Sequence, residues 1–220
     1  MKTIENLIGV RKGETALVIC AGATVKEYEK QIKHFIEETN PFTIGINNMT
    51  HLFVPDYHLW TNNRRFRTFG KNIKDKPILL LGSNISLKVI KDTIGSRDYI
   101  VLNRIDREGV PINYKNGTIY GYHRTAGCTA ITVSHLLGAK EINVVGMDGH
   151  TRHKYEDVIS GIEHHHCYNE DYIPYPKEIC MKKDKIVNGV LKSLEKYGMN
   201  FKILTPTVYE DYYDSTRLHI

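Results

Sequence analysis

The sequence predicts an α/β fold in which helices flank a mostly parallel sheet, and three observations predict it. Short apolar runs recur along the chain, and each stops in small or amide residues. Stretches with three- and four-residue apolar spacing follow several of these runs, as helices crossing between parallel strands do. One stretch, residues 122–150, reads in full as loop, helix, strand and loop. Repeated strand, tight turn and helix is the plan of a Rossmann-like domain, and 220 residues suit a single one with a sizeable core. No repeat, low-complexity tract or linker divides residues 1–220.

Residues 1–14 read as a polar lead-in with one short amphipathic turn. Residues 15–20 are a continuous apolar strand ending at Ala21-Gly22-Ala23-Thr24. Thr24 and Glu27 have the spacing of a capping box, and Tyr28, Ile32, Phe35 and Ile36 mark one face of the helix behind it. Strands are expected at 43–46, stopping at Asn47-Asn48, and at 57–61, stopping at Asn62-Asn63. Further strands are expected at 77–81, with a helix through Leu87, Val89 and Ile90 behind it, and at 99–102. Asn116-Gly117 marks a two-residue hairpin turn, read as an antiparallel ornament. In the central unit, Ala130, Val133 and Leu137 mark a helix, Gly138 ends it, and 142–145 is a buried strand. Residues 150–180 lose periodicity and become rich in His and Tyr, including His164, Tyr168, Tyr172 and Tyr175, which suggests a lid. Ile186, Val187, Val190, Leu191, Leu194 and Tyr197 restore a helix closed by Gly198, and 201–204 is a last strand. The tail 205–220, with Tyr209, Tyr212, Tyr213 and Arg217, either folds back or meets another subunit.

Composition narrows the function. Hydrophobic residues make up 41% of the chain, and no apolar run reaches the ~18 residues a membrane span needs. Glu5 and Asn6 interrupt the start where a signal peptide is continuously apolar, so a cytoplasmic location is expected, with the inner face of the membrane left open. Four cysteines, without a Cys-x-x-Cys pair, fit free thiols in a reducing compartment. The net charge of +5 suits a phosphate-bearing ligand or an anionic membrane surface, and no basic block is dense enough to favour nucleic acid.

The chemistry concentrates in the central unit. Arg124, Thr125, Ala126 and Gly127 stand just before a helix, where unpaired N–H groups and the positive end of the dipole attract an anion. Asp148 sits in the turn after the next strand, between Gly146 and Gly149. Several positions carry a plain reading beside the functional one. Gly22 and Thr24 serve as a turn and cap or contact phosphate; Asn47 and Asn62 terminate strands or bind ligand. His164, His165 and His166 form a solvated loop, supply a general base, or join Asp148, His150 or His153 on a metal. Consecutive histidines cannot all face one ion from a regular element, which weakens the metal reading. Arg64, Arg65 and Arg67 suit a solvated face or an acidic acceptor, and Trp60 suits the core better than a sugar platform.

The order of these pieces carries a resemblance. Ala21-Gly22-Ala23-Thr24, Ile46-Asn47, Thr61-Asn62, Thr125-Ala126-Gly127 and Val145-Gly146-Met147-Asp148 follow one another as do Asn-Gly-Pro-Ser, Cys-Asn, Tyr-Asn, Thr-Ser-Gly and Ser-Gly-Ile-Asp in the bacterial single-domain sialyltransferases of glycosyltransferase family 42. The chain resembles that family over roughly residues 15–205, most specifically in the central unit. The resemblance implies a glycosyltransferase that moves a sialic-acid-like nonulosonic acid from a cytidine monophosphate donor to a hydroxyl of a glycan or lipid-linked acceptor. It implies Gly22, Thr24, Asn47, Asn62, Thr125, Gly127 and Asp148 around the nucleotide and a His as general base, for which His165 and His166 are the candidates; a leaving phosphate also needs a cation, and Arg124 is the candidate by its place before the helix. No cofactor is obligatory on this reading, Mg²⁺ is compatible with it, and no metal ligands are assigned; peripheral membrane association and a homo-oligomer stay open. The sequence departs from the pattern at Ala21 and Ala126, which remove polar donor contacts, and in lacking the family's His-Tyr-x-x-His spacing. Two alternatives remain: a Mg-dependent nucleotide diphosphokinase or phosphotransferase on a related fold, and a non-catalytic sugar-nucleotide-binding module. NAD chemistry ranks below both, because no Gly-x-Gly-x-x-Gly follows the first strand.

Overall fold

In the computed structural model, which describes residues 2–161, 165–168 and 175–218, chain order and sheet order part company beside one strand. The described strands are β1 (Lys2–Thr3), β2 (Thr15–Ile19), β3 (Phe42–Ile46), β4 (Tyr57–Trp60), β5 (Ile78–Gly82), β6 (Tyr99–Ile105), β7 (Asn113–Lys115), β8 (Thr118–Tyr120), β9 (Glu141–Val145) and β10 (Phe201–Ile203). They form one sheet in the order β10, β9, β2, β3, β4, β5, β6, β8, β7, with β1 also paired to β6. Every described pair is parallel except β7 with β8. The chain steps outward from β2 to β6, then returns across the sheet to lay β9 on the other side of β2. Connections therefore leave β2 and β9 in opposite directions and open a crevice at their carboxyl ends.

The helices are α1 (Thr24–Glu27), α2 (Glu29–Thr39), α3 (Asn63–Phe69), α4 (Leu87–Ile94), α5 (Ala126–Leu137), α6 (Tyr155–Ile159) and α7 (Lys177–Lys196). Both faces of the sheet are covered, which is why its central strands are apolar throughout. Ala16, Val18 and Cys20 pack with Cys128, Ile131 and Val187 on one face; Leu17, Ile19, Ile32 and Phe35 pack together on the other. A third cluster, Trp60, Phe66, Leu81, Ile85 and Ile90, ties α3 and α4 to the sheet, so Trp60 is a core residue. Helix α5 is buried almost all round, from Gly127 to Ser134, and ends at Gly138 in the left-handed conformation, φ +100°. All four cysteines are buried free thiols. Among the described residues, no helix is long and apolar enough to cross a membrane.

Several sequence expectations need correction. The lead-in has its short amphipathic turn, a 3₁₀ helix at Ile4–Leu7 with Ile4 and Leu7 buried, and the correction there is the added strand β1. The Thr24–Glu27 capping box is absent: Thr24 is the first helical residue, the N-cap is Ala23, and the Thr24 side chain is engaged elsewhere. The helix behind it is two pieces that meet at Tyr28. Strands β7 and β8 meet at Asn116 and Gly117, both at positive φ, but β8 also pairs with β6, so this unit extends the sheet and is no ornament. Within residues 150–180, α6 and the first turn of α7 are regular structure. His164 and Tyr172 lie outside the described residues. Of the two readings of the tail, the described residues show the first, folding back on its own chain. Thr205 Oγ1 accepts from Gly146 N at 2.8 Å, Tyr212 stacks on Phe201, Arg217 pairs with Glu141, and Leu218 is buried.

Candidate functional site

A cavity of about 450 Å³ lies over the carboxyl ends of β2, β3, β4 and β9 and the first turn of α5. At its floor the segments leaving β2 and β9 stay bonded to each other. Gly22 N donates to Gly146 O at 2.9 Å, and a Cβ on Gly22 would stand 2.5 Å from both Gly146 O and the Asp148 carboxyl. Only glycine allows that approach. Asp148 lines the cavity but is largely committed: Thr24 N donates to its Oδ2 at 3.0 Å, and the Thr24 hydroxyl bonds its Oδ1. Thr24 is fully buried behind the wall, its hydroxyl also 3.1 Å from Thr205 Oγ1, and does not line the cavity.

The next feature is cationic. Arg64, Arg65, Arg104, Arg124 and Lys183 line the cavity, against Asp148 as its one carboxylate among the described residues. Arg124 has φ +59°, a conformation that costs a residue with a side chain, and its neighbours close a tight turn in which Thr125 N donates to His123 O at 2.5 Å. Thr125 Oγ1 then accepts from Cys128 N at 3.2 Å, capping α5. Gly127 follows, and a Cβ there would meet Met147 at 2.6 Å and Cys20 at 2.9 Å. Arg104 reaches in from the end of β6, held by Thr129 Oγ1 at 2.7 Å and Asp106 at 3.3 Å. Burial pushes its pKa down and Asp106 opposes this; a guanidinium keeps its proton in a protein, so Arg104 is a cation.

Asn47 and Asn62 line the same cavity. Asn47 has φ +53°, and its carbonyl takes a 2.6 Å bond from His58 Nε2, which must be the donor because a carbonyl can only accept. Burial, opposed by this bond, holds buried His58 down to about 4, so it is neutral. Asn47 Oδ1 is buried with no hydrogen-bond partner among the described residues. Asn62 caps α3, accepting from Arg65 N at 3.0 Å.

The two described members of the histidine run differ. His166 Nδ1 lies 3.2 Å from Ala21 O and so donates; its Nε2 lies 2.9 Å from Arg65 Nη2 and so accepts. Its lone pair is taken. Burial, then Arg65, lowers its pKa to about 3. His165 sits with its ring 5.7 Å from His153 and 6.4 Å from His150. Burial, then His153 and His150, lowers it to about 4, against the opposing pull of Asp148 and Asp184. His153 Nε2 is 3.9 Å from Asp148 Oδ2. Among the described residues, no group of three or more His, Cys, Asp or Glu is arranged to hold a metal ion.

Thus the structure brings together Gly22, Asn47, Asn62, Arg124, Thr125, Gly127, Asp148, His165 and His166 around one cavity and leaves Thr24 behind it. Sequence reading missed Arg104, Lys183, Asp184 and Tyr209. Asp184, on α7, accepts from His150 N at 2.7 Å, Thr151 N at 2.8 Å, Thr151 Oγ1 at 2.7 Å and Tyr209 Oη at 3.0 Å, and so pins the loop after Asp148. Burial, reinforced by Asp184, pushes the Tyr209 phenol well up and keeps it a donor. One signal existed: Asp184 falls on the apolar stripe formed by Cys180, Val187, Leu191 and Leu194, where a lone acid needs a polar partner. No protein-family model matches the chain, and no curated protein matches it significantly.

Proposed function

We propose that the chain is a glycosyltransferase that takes a nonulosonic acid from a cytidine monophosphate donor and passes it to a hydroxyl of a glycan or lipid-linked acceptor. The observation that carries this reading is Arg124, held in a costly left-handed conformation just before α5 and one of five cations that line the cavity at the sheet's switch point. Such strain is retained where it orients a working group, and cations at a helix N-terminus suit a phosphate. A cavity of about 450 Å³ is within the range that encloses small ligands. The cytidine and the sugar class rest on the order of the sequence motifs.

In the proposed transfer the acceptor oxygen bonds to the anomeric carbon as the bond from that carbon to phosphate oxygen breaks. The bonding pair leaves on the phosphate, stabilised by Arg124, Lys183 and the α5 N–H groups. The acceptor proton passes to His165, which is neutral at pH 7 and whose pKa a nearby bound anion would raise. His166 positions Arg65 instead, since its lone pair is already bonded. The chemistry runs in the cytoplasm or at its membrane face.

The test is release of cytidine monophosphate from the donor, with and without a hydroxyl acceptor. Acceptor-dependent release supports the transferase. Binding of the donor without turnover would leave a sugar-nucleotide-binding module, and stabilisation only by a purine triphosphate with Mg²⁺ would favour a phosphotransferase.

A further inference from the structure

A second cavity, of about 900 Å³, opens between α7 and the 108–112 loop. Its walls are mainly apolar: Val110, Pro111 and Ile112 from the loop, and Ile186 and Val190 from α7. On α7 the lining runs from Lys182 to Tyr197, a groove of roughly 22 Å at the helical rise of about 1.5 Å per residue. Gly189 stands at its middle, and a Cβ added there would meet nothing within 4 Å, so the groove is open where a side chain would otherwise fill it. Charge is uneven along it. Lys182 and Lys185 stand together at one end and Lys196 at the other, with Glu108 the acid on the facing loop.

The end with two lysines is also the end beside the candidate site. Lys183 and Val187 line the first cavity while Lys182 and Ile186, their neighbours on the same turns, line the groove; Tyr122 lines the groove and Arg124, two residues on, the site. An acceptor using both would keep a long apolar part in the groove and an anionic head at Lys182 and Lys185, next to the cavity where its hydroxyl reacts. We infer that the groove holds the hydrocarbon chain of a lipid-linked glycan acceptor, its bridging phosphate on Lys182 and Lys185, its tail running toward Tyr197 and its sugar hydroxyl reaching the candidate site. This rests on the transferase reading for the word acceptor; the binding itself does not depend on it.

The probe is farnesyl phosphate, titrated into the full chain below its micelle concentration, with farnesol and inorganic phosphate in parallel. Farnesyl phosphate should bind at least tenfold more tightly than either control. Gly189→Leu should weaken that binding at least tenfold without lowering the melting temperature, because the position is open and helical. Lys182→Glu with Lys185→Glu should weaken it equally, yet leave farnesol unchanged. Absent binding of farnesyl phosphate, or equal binding of farnesol, would overturn the inference. So would anionic phosphatidylglycerol vesicles binding wild type and Gly189→Leu alike in place of the single lipid, which would make this face a membrane surface. Stabilisation of wild type by cytidine monophosphate separates the two readings: its presence with farnesyl phosphate binding absent rejects the groove alone, and its absence with farnesyl phosphate bound rejects the donor site alone.

Discussion

Thr24 and Asp148, 124 residues apart, join the ends of β2 and β9: the Thr24 amide donates to Asp148 Oδ2 at 3.0 Å, and its hydroxyl bonds Oδ1. This pair holds the two sides of the switch point together. Asp148→Ala should therefore destabilise the fold by about 2–4 kcal/mol, the cost of freeing donors that a carboxylate had bonded. Thr24→Val should cost less, and the double variant should fall short of the sum. Urea denaturation of all four proteins reads this. Unchanged stability in Asp148→Ala with loss of nucleotide binding would instead make Asp148 a ligand contact.

Gly22→Ala probes the same junction from the backbone. Its new Cβ would lie 2.5 Å from the Asp148 carboxyl and from Gly146 O. Neither neighbour can yield cheaply, since one is backbone and the other is bonded to Thr24. A loss of about 1–3 kcal/mol is expected by thermal denaturation, as for overpacking elsewhere. A neutral variant would mean that the two strand ends separate readily.

His165 and His166 should part in kinetics. His165→Ala should lower kcat by about 10²–10⁴, the usual worth of a general base. His166→Ala should chiefly weaken donor binding, because its Nε2 holds Arg65 at 2.9 Å. Steady-state release of cytidine monophosphate separates them. Equal kcat losses would contradict the assignment.

Buried neutral histidines set an acid limit. His58 and His123 have folded pKa values near 4, lowered from 6.5 chiefly by burial. Between 6.5 and 4 the unfolded chain binds protons that the folded one does not, so stability is complete above pH 6.5 and falls as pH drops toward 4. His58, fully buried, accounts for about 3 kcal/mol of that fall. His58→Gln should be less stable at pH 7 yet lose less between pH 7 and pH 5 than wild type, read by calorimetry at both. Parallel losses would show that His58 does not titrate with folding.

Legibility followed the range of the interactions. Apolar runs ending in Asn47, Asn62, Gly146 and similar residues marked the strands, because a strand buried on both faces must be apolar and must stop where polar groups begin. Thr125 and Gly138 likewise act on their own helix, as its N-cap and C-cap. Thr24 was misread because its local partner, Glu27, competes with Asp148, which is remote in sequence. Arg104 was hidden by the short strand expected at 99–102, since β6 continues to Ile105 by pairing with β8, a contact no local pattern records. Asp184 was visible only as an acid in an apolar stripe.

Arg124 and the α5 N-terminus are proposed to hold a nucleotide's phosphate, and the sharpest test is Arg124→Gly. Glycine accepts φ +59° without cost, so the variant should melt no lower than wild type, with up to about 1–2 kcal/mol of strain relieved. Calorimetric titration with cytidine monophosphate and with cytidine completes the measurement. Wild type should bind the monophosphate and scarcely the nucleoside, and Arg124→Gly should lose at least tenfold in affinity for the monophosphate while staying folded. Unchanged affinity in Arg124→Gly, or equal binding of cytidine by wild type, would contradict the account.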